Sequence, residues 1–311
     1  MALYLGIDTS NYTTSTAVYD SASGTLRQQK QLLPVKPGER GLRQSDAVFH
    51  HTVQLPPLLE QLGDLRDIEG IGVSVRPRNL EGSYMPCFLV GEGTARAIAS
   101  VREIPVYRTS HQIGHILAAA YSAQHLELIR KPFLAFHVSG GTTDCVYCEP
   151  DAQELLCVKP FSTSLDLHAG QVVDRVGVML GLRFPCGPQL EALAAKSRFS
   201  RKYKPAMKGA DCCLSGLENQ CRALYDAGTP AEDVALYCLH AVAAVLSEMT
   251  RIAADAYPGI PVLYAGGVMS NRLIQGKLAG EAHFFAEPAF SCDNAAGTAI
   301  FAGLKHGGDA L

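Results

Sequence analysis

Two distant segments repeat one pattern, and that repeat limits the folds open to this 311-residue chain more than any other feature. The first is Leu3-Tyr4-Leu5-Gly6-Ile7-Asp8-Thr9-Ser10-Asn11-Tyr12-Thr13-Thr14, leading into Ser15-Thr16-Ala17-Val18-Tyr19. The second is Phe133-Leu134-Ala135-Phe136-His137-Val138-Ser139-Gly140-Gly141-Thr142-Thr143, leading into Asp144-Cys145-Val146-Tyr147. Each joins an apolar run to a second β-type run through a Ser-x-x-Thr-Thr turn, the pattern of a hairpin with a hydroxyl- and glycine-rich tip. A hairpin repeated so far apart implies two related lobes, each offering one tip to a shared cleft. The length suits two domains.

Helical patterns fill the intervals. Asp46 to Leu62 reads as an amphipathic helix broken near Pro56-Pro57, and Gly91 to Val101 as an Ala-rich helix. Ser110 is an N-cap for His111 to Ile129. Val173, Val176 and Leu180 give Gly170 to Leu180 helical spacing, and Asp233 to Ala256 is a long helix. Pro261 to Tyr264 is a short buried strand ending at Gly266-Gly267, and Asp293 is positioned to cap a last helix that stops at Gly307-Gly308. These elements set an α/β class with a first lobe over residues 1–110 and a second over 111–293. A C-terminal helix, about 294–311, is expected to pack back on the first.

Bulk composition narrows the setting. Phe133 to Val138 and Ala241 to Leu246, among the longest apolar stretches, are too short to span a bilayer. The N-terminus lacks the positive region of a signal peptide. A cytoplasmic location follows, with the ten cysteines as reduced thiols and no membrane partner. A net charge of -3 provides no global basic face, so a nucleic acid would need a local patch or a partner's charges.

Several clusters carry chemistry. In Ser139-Gly140-Gly141-Thr142-Thr143, glycines let the backbone approach a ligand and consecutive N–H groups can cradle a phosphate; a plain hairpin turn has the same composition. Ala265-Gly266-Gly267-Val268-Met269-Ser270-Asn271 reads as a strand-to-helix turn over which a nucleotide can lie, or as a packing glycine pair. His111 and His115, at i and i+4, share a helix face and can bind one ion; an exposed first turn is the plain alternative. Asp293 is a candidate third ligand, and two histidines with one carboxylate suit Fe, Zn or Mn. Asp174, with Gly187 and Glu191 beside the rigid Pro185-Cys186-Gly187-Pro188 turn, can hold ribose hydroxyls or form a salt bridge with Arg175 or Arg183. Lys196 to Lys208 is the one dense basic run; with Phe199 and Tyr203 interleaved it suits RNA phosphates and splayed bases, and a solvated loop is its plain reading. Cys145-Val146-Tyr147-Cys148 lacks a second pair at zinc spacing and reads as structural.

In their order, these pieces resemble the TsaD family of tRNA threonylcarbamoyladenosine synthases, once called glycoproteases. The resemblance covers almost the whole chain: Leu5-Gly6-Ile7-Asp8-Thr9-Ser10, Asn79-Leu80-Glu81-Gly82-Ser83, His111 with His115, Val138-Ser139-Gly140-Gly141, Asp174-Arg175, Pro185-Cys186-Gly187-Pro188, Leu214-Ser215-Gly216-Leu217, Ala265-Gly266-Gly267-Val268 with Asn271, and Asp293-Asn294-Ala295-Ala296. It implies two RNase H-like lobes of the actin, Hsp70 and sugar-kinase (ASKHA) type around a nucleotide cleft. It implies one divalent metal, Fe(2+) with Zn(2+) as alternative, on His111, His115 and Asp293. Asp8 and Ser10 would be catalytic residues of the first loop. Val138, Ser139, Gly140, Gly141 and Thr142 would lie on the phosphate side, and Asp174, Gly187, Glu191 and Asn271 at the nucleoside of an adenylate or ATP-type nucleotide.

The reaction so implied transfers threonylcarbamoyl from its AMP adenylate to the adenosine beside the anticodon of tRNA. tRNA would lie on the Lys196–Lys208 run, and a smaller TsaD-like paralogue and an ATPase would be protein partners. The chain departs from the family pattern at the reacting end. Asn11 stands for the family's cysteine, Tyr12 and Thr13 for its two acids, and Thr142 for its Gly-Gly-His-Thr histidine. These changes suit a divergent paralogue, so two alternatives stand beside transfer to tRNA: carbamoyl transfer or ATP hydrolysis with another acceptor, and a non-catalytic partner of a true synthase.

Overall fold

The computed structural model describes residues 2–10, 12–34, 42–291 and 294–307, in two compact units. One comprises Met1–Lys131, Pro150–Val158 and Cys292–Leu311; the other comprises Pro132–Glu149 and Lys159–Ser291.

The first unit begins with β1 (Leu3–Ser10), β2 (Thr13–Asp20) and β3 (Thr25–Leu32), paired antiparallel in succession. α1 (Gln44–Gln61), β4 (Ile68–Arg76), α2 (Phe88–Arg102), β5 (Val106–Ser110) and α3 (His111–Ser122) follow. β4 pairs parallel with β1, and β5 parallel with β4, giving the order β3-β2-β1-β4-β5. The buried run of β1 is that of a strand covered on both faces, whereas β3 alternates and carries Arg27 and Lys30 on the sheet edge, where charge discourages pairing with another chain.

The second unit repeats this wiring. β6 (Phe133–Val138), β7 (Thr143–Asp151) and β8 (Leu155–Thr163) are adjacent, with β6 and β7 antiparallel. After α4 (Ala169–Met179) and α5 (Gly187–Ala194), a small hairpin of β9 (Ala206–Lys208) and β10 (Asp211–Cys213) leads to α6 (Ser215–Asp226) and α7 (Ala231–Ala256). β11 (Val262–Ala265) pairs parallel with β6, and after α8 (Arg272–Leu278), β12 (His283–Phe285) pairs parallel with β11. Read as β8-β7-β6-β11-β12, the order matches that of the first sheet, so the sequence repeat is a repeat of topology. α7 is long and apolar enough to cross a membrane by composition, and most of it is buried in the second unit's core.

The chain ends with α9 (Ala296–His306) in the first unit. It reaches the sheet because Gly6 on β1 and Gly72 on β4 lack side chains: a Cβ on either would collide with the α9 backbone at Ala295 or Thr298. α9 and α3 cross at Gly297 and Gly114, equally close. α3 therefore falls in the first unit, which runs to Lys131 rather than stopping at the boundary of residue 110 that the sequence suggested. α3 is also shorter than the sequence implied. It stops at Ser122, Gln124 takes φ 61°, and a 3-10 turn covers Leu126–Arg130. α1, by contrast, runs unbroken through Pro56 and Pro57; buried His51, Gln54, Leu55 and Leu58 anchor it on both sides of the prolines.

Candidate functional site

In the first unit, β1, β4 and the β5–α3 junction deliver their C-terminal ends to one edge, where open parallel sheets bind ligands. Asp8, the sixth residue of β1, is 1% exposed. Its Oδ1 accepts from Ser74 Oγ of β4 at 2.5 Å, and its Oδ2 accepts from Ser10 Oγ at 3.1 Å. His111 Nδ1 lies 2.8 Å from that same Oδ2.

His111 opens α3, whose N-terminus is fixed by Ser110 Oγ accepting from Ile113 N at 3.3 Å, as the sequence implied. One turn on, His115 stands with Nε2 2.9 Å from His111 Nε2 and ring centroids 4.3 Å apart. The sequence thus placed both imidazoles on one face correctly, and the fold joins them to Asp8 and Ser10. The donor set fits a divalent ion as two neutral imidazoles on one side. Asp293, the third ligand expected and the expected cap of the last helix, lies outside the described residues, as does Asn11. Among the described residues no three His, Cys, Asp or Glu converge on a metal position.

Thr14 of β2 donates its Oγ1 hydroxyl to Gln54 Oε1 of α1 at 2.7 Å, so His51 Nδ1 of α1, 2.8 Å away, must donate to Thr14. His51 is fully buried, and its Nε2 has no partner among the described residues. Desolvation pushes its pKa down to about 4, against a smaller upward pull from Asp8. Thr9 Oγ1 donates to Cys87 O at 3.0 Å and accepts from Gly91 N at 3.1 Å, tying the first hairpin to α2. At the tip, Thr13 is buried and Tyr12 half-buried.

In the second unit the β6–β7 tip is a tight loop. Ser139 N donates to Thr142 O at 2.7 Å, and Gly141 N donates to Ser139 Oγ at 3.2 Å. Gly170 at the start of α4 abuts it, with its N–H on Ser139 O at 3.1 Å; a Cβ there would strike Ser139 and Gly140 backbone. Gly266 after β11 has φ 100°, with no room for a Cβ against the Val138 carbonyl, so only glycine fits. Gly140 and Gly141 have open space where a Cβ would stand. Val138, at the base of the Ser139–Thr142 loop, thus packs directly against the Gly266 turn.

The four nucleoside-side candidates join into a chain of supports. Asp174 Oδ1 accepts from Cys186 N at 2.7 Å, which holds the turn preceding Gly187; its partner is that backbone, and Arg175 pairs instead with Glu218 at 3.0 Å. Glu191 Oε1 accepts from Arg272 N at 2.8 Å, and Asn271 Oδ1 caps α8 by accepting from Ile274 N at 3.1 Å. The basic run is a loop that leads into β9, and its Lys196, Arg198, Arg201, Lys202, Lys204 and Lys208 are exposed. Phe199 and Tyr203 instead turn inward onto the core, so the aromatics do not stand out as base-stacking platforms. Cys145 and Cys148 are both buried in β7, and no disulfide joins the nine described cysteines.

Two sheets of identical wiring, each with a polar tip after its first strand, define a protein of the ASKHA class with RNase H-like lobes. Solved structures of this class share the fold. One is the (R)-2-hydroxyglutaryl-CoA dehydratase component A of Acidaminococcus fermentans (TM-score 0.57, 14% identity, 99% of each chain). Another is a ROK family glucokinase from Streptomyces griseus (TM-score 0.52, 11% identity, 97% of this chain and 99% of that one). Residues 32–300 match the family model described as TsaD, tRNA N6-adenosine threonylcarbamoyltransferase. A curated relative of that name from Archaeoglobus fulgidus is 29% identical over 275 residues, 88% of this chain and 80% of its own. The chain belongs to the TsaD family, and it is an enzyme of the transferase class.

Ser74, His51 and Gln54 escaped the sequence reading, and Thr14 entered it only as part of the hairpin tip. Of the three that escaped, Ser74 left a signal, a lone hydroxyl near the end of the apolar run Ile71-Gly72-Val73-Ser74-Val75.

Proposed function

We propose that this chain transfers the threonylcarbamoyl group of threonylcarbamoyl-AMP to N6 of the adenosine next to the anticodon of tRNA, in the cytoplasm. In that reaction the amine nitrogen bonds to the carbamoyl carbon, the bond from that carbon to the AMP phosphate oxygen breaks, and AMP departs as the amine loses a proton. The adenosine amine is a poor nucleophile, so the enzyme must chiefly orient both reactants and stabilise charge on the carbonyl oxygen.

The observation that carries the reading is the pair of α3 imidazoles with facing Nε2 atoms, the first bonded to buried Asp8. With Asp293 they would hold a divalent ion, Fe(2+) or Zn(2+); such an ion supplies Lewis-acid polarisation of an acyl oxygen or a seat for the threonine carboxylate. Asp8 and Ser10, at the C-terminal end of β1, would stand beside the reacting group. In the second unit, the Ser139–Thr142 loop would take the adenylate's phosphate side, and Asp174, Gly187, Glu191 and Asn271 its nucleoside. The exposed cations of Lys196–Lys208 would meet tRNA phosphates, and a smaller paralogue with an ATPase would complete the assembly.

A second reading, carbamoyl transfer or nucleotide hydrolysis with another acceptor, is motivated by Tyr12, Thr13 and Thr142. The test supplies purified protein, alone and with the partner proteins, with threonylcarbamoyl-AMP and tRNAs reading codons that begin with A. Modified nucleoside should accumulate, and His111→Ala should lower its rate at least tenfold. Consumption of the adenylate with no modified tRNA in either setting would favour the second reading; neither reaction would favour a non-catalytic partner.

A further inference from the structure

We propose that Ser74 and Asp8 act as positioning residues for the metal pair: together they hold His111 in the tautomer that turns its Nε2 lone pair toward His115. The inference rests on the metal-site reading above, and it moves Asp8 from the reacting group to the support behind it.

Donors and acceptors fix the tautomer. A carboxylate only accepts hydrogen bonds, whereas a neutral imidazole has one donor and one acceptor nitrogen. Asp8 receives Ser74 Oγ on Oδ1 and Ser10 Oγ on Oδ2, and it is almost fully buried, so water does not compete for it. His111 Nδ1, at 2.8 Å from Oδ2, can therefore join the cluster only as a donor. Its Nε2 then carries the lone pair, and this is the atom 2.9 Å from His115 Nε2. Without an ion, His115 Nε2 fills the gap by donating its proton to His111; an ion would displace that proton and take both lone pairs.

The elements explain why Ser74 matters. β1 and β4 run parallel with Ile7 opposite Val73, which brings the next residues, Asp8 and Ser74, side by side. Ser74 is fully buried, so its hydroxyl costs free energy unless bonded, and it donates to Asp8. Among the described residues Ser74 is the partner that satisfies Oδ1, and a carboxylate free to rotate would release Nδ1. A carboxylate behind a ligating histidine both fixes the ring and raises its basicity, and removing one commonly weakens metal binding 10–100-fold.

Two measurements on the full-length protein test this. The first is the nitrogen-15 NMR spectrum of the His111 ring in metal-free protein. Wild type should show Nδ1 protonated, and Asp8→Asn and Ser74→Ala a mixture of tautomers. A wild-type ring protonated at Nε2 overturns the proposal whether or not metal binds. The second is Co(2+) affinity, read by absorption and by competition with a chelator. Ser74→Ala and Asp8→Asn should each weaken binding by about 10–100-fold, and Ser74→Thr, which keeps the hydroxyl, should restore it. Unchanged affinity in both variants, with circular dichroism confirming the fold, also overturns it. His111→Ala separates the two ideas. If it binds Co(2+) like wild type, the metal-site reading fails, and the ring tautomer alone then decides the role of Ser74 and Asp8.

Discussion

His51 carries a cost that the chain keeps: one ring nitrogen is bonded to Thr14 and the other is buried with no partner among the described residues. Its folded pKa of about 4 lies below the usual 6.5. A depressed histidine pKa means that below about pH 6.5 the unfolded chain binds a proton that the folded protein refuses. The contribution of neutral His51 is thus present above pH 6.5 and is lost as pH falls toward 4, by on the order of 3 kcal/mol at 1.4 kcal/mol per unit. Urea unfolding of wild type and His51→Gln should show the wild type losing more stability than the variant between pH 7 and pH 4. A constant difference across that range would mean that His51 titrates normally in the fold. At this scale the sequence was legible where spacing alone sets geometry, as for His111 and His115 on one helix face. It was silent where two strands or a strand and a helix meet, as for Ser74 with Asp8 and His51 with Thr14, because such partners depend on register and packing.

Elements were legible in kind and less so at their ends. The hairpins, the Ser110 cap and the long α7 followed from local pattern. α1 did not, because local proline chemistry argued for a break that tertiary contact overrides: the helix buries His51, Gln54, Leu55 and Leu58 and leaves both prolines on its outer side. The α3–α9 crossing depends on Gly297, which meets the Gly114 backbone. A Cβ on Gly297 would fall inside contact distance of the Gly114 carbonyl, with backbone on both sides and no side chain to yield. Gly297→Ala should therefore destabilise by about 1–3 kcal/mol or more, as overpacking does. Gly276→Ala in α8, where a Cβ meets nothing, should stabilise by about 0.5–1 kcal/mol through helix propensity. Thermal or urea unfolding of the pair distinguishes a packing glycine from an idle one; equal effects would refute the close crossing.

At the scale of the whole molecule, the two units share one wiring and the second carries a local basic run. With a net charge of -3, any RNA affinity has to come from a local basic patch, for which this run is the candidate, or from a partner. Charge reversal at Arg198, Lys202 and Lys204 should weaken tRNA binding and flatten its salt dependence by roughly 0.7–0.9 for each phosphate that the loop no longer neutralises, while adenylate binding stays unchanged. Filter binding across a salt series checks it; an unaltered slope would remove the loop from the RNA interface. The sequence by itself determined the two-lobed class, the hairpin tips, the histidine pair and the family, since these rest on repeats and periodicities written along the chain. Tertiary structure decided that α3 belongs with the first sheet, that Phe199 and Tyr203 face the core, and that Asp8 is bonded to His111 rather than alone in a loop. Those outcomes depend on which surfaces bury which, and burial is a property of the assembled fold, where residues far apart in the chain compete for the same space and the same hydrogen bonds.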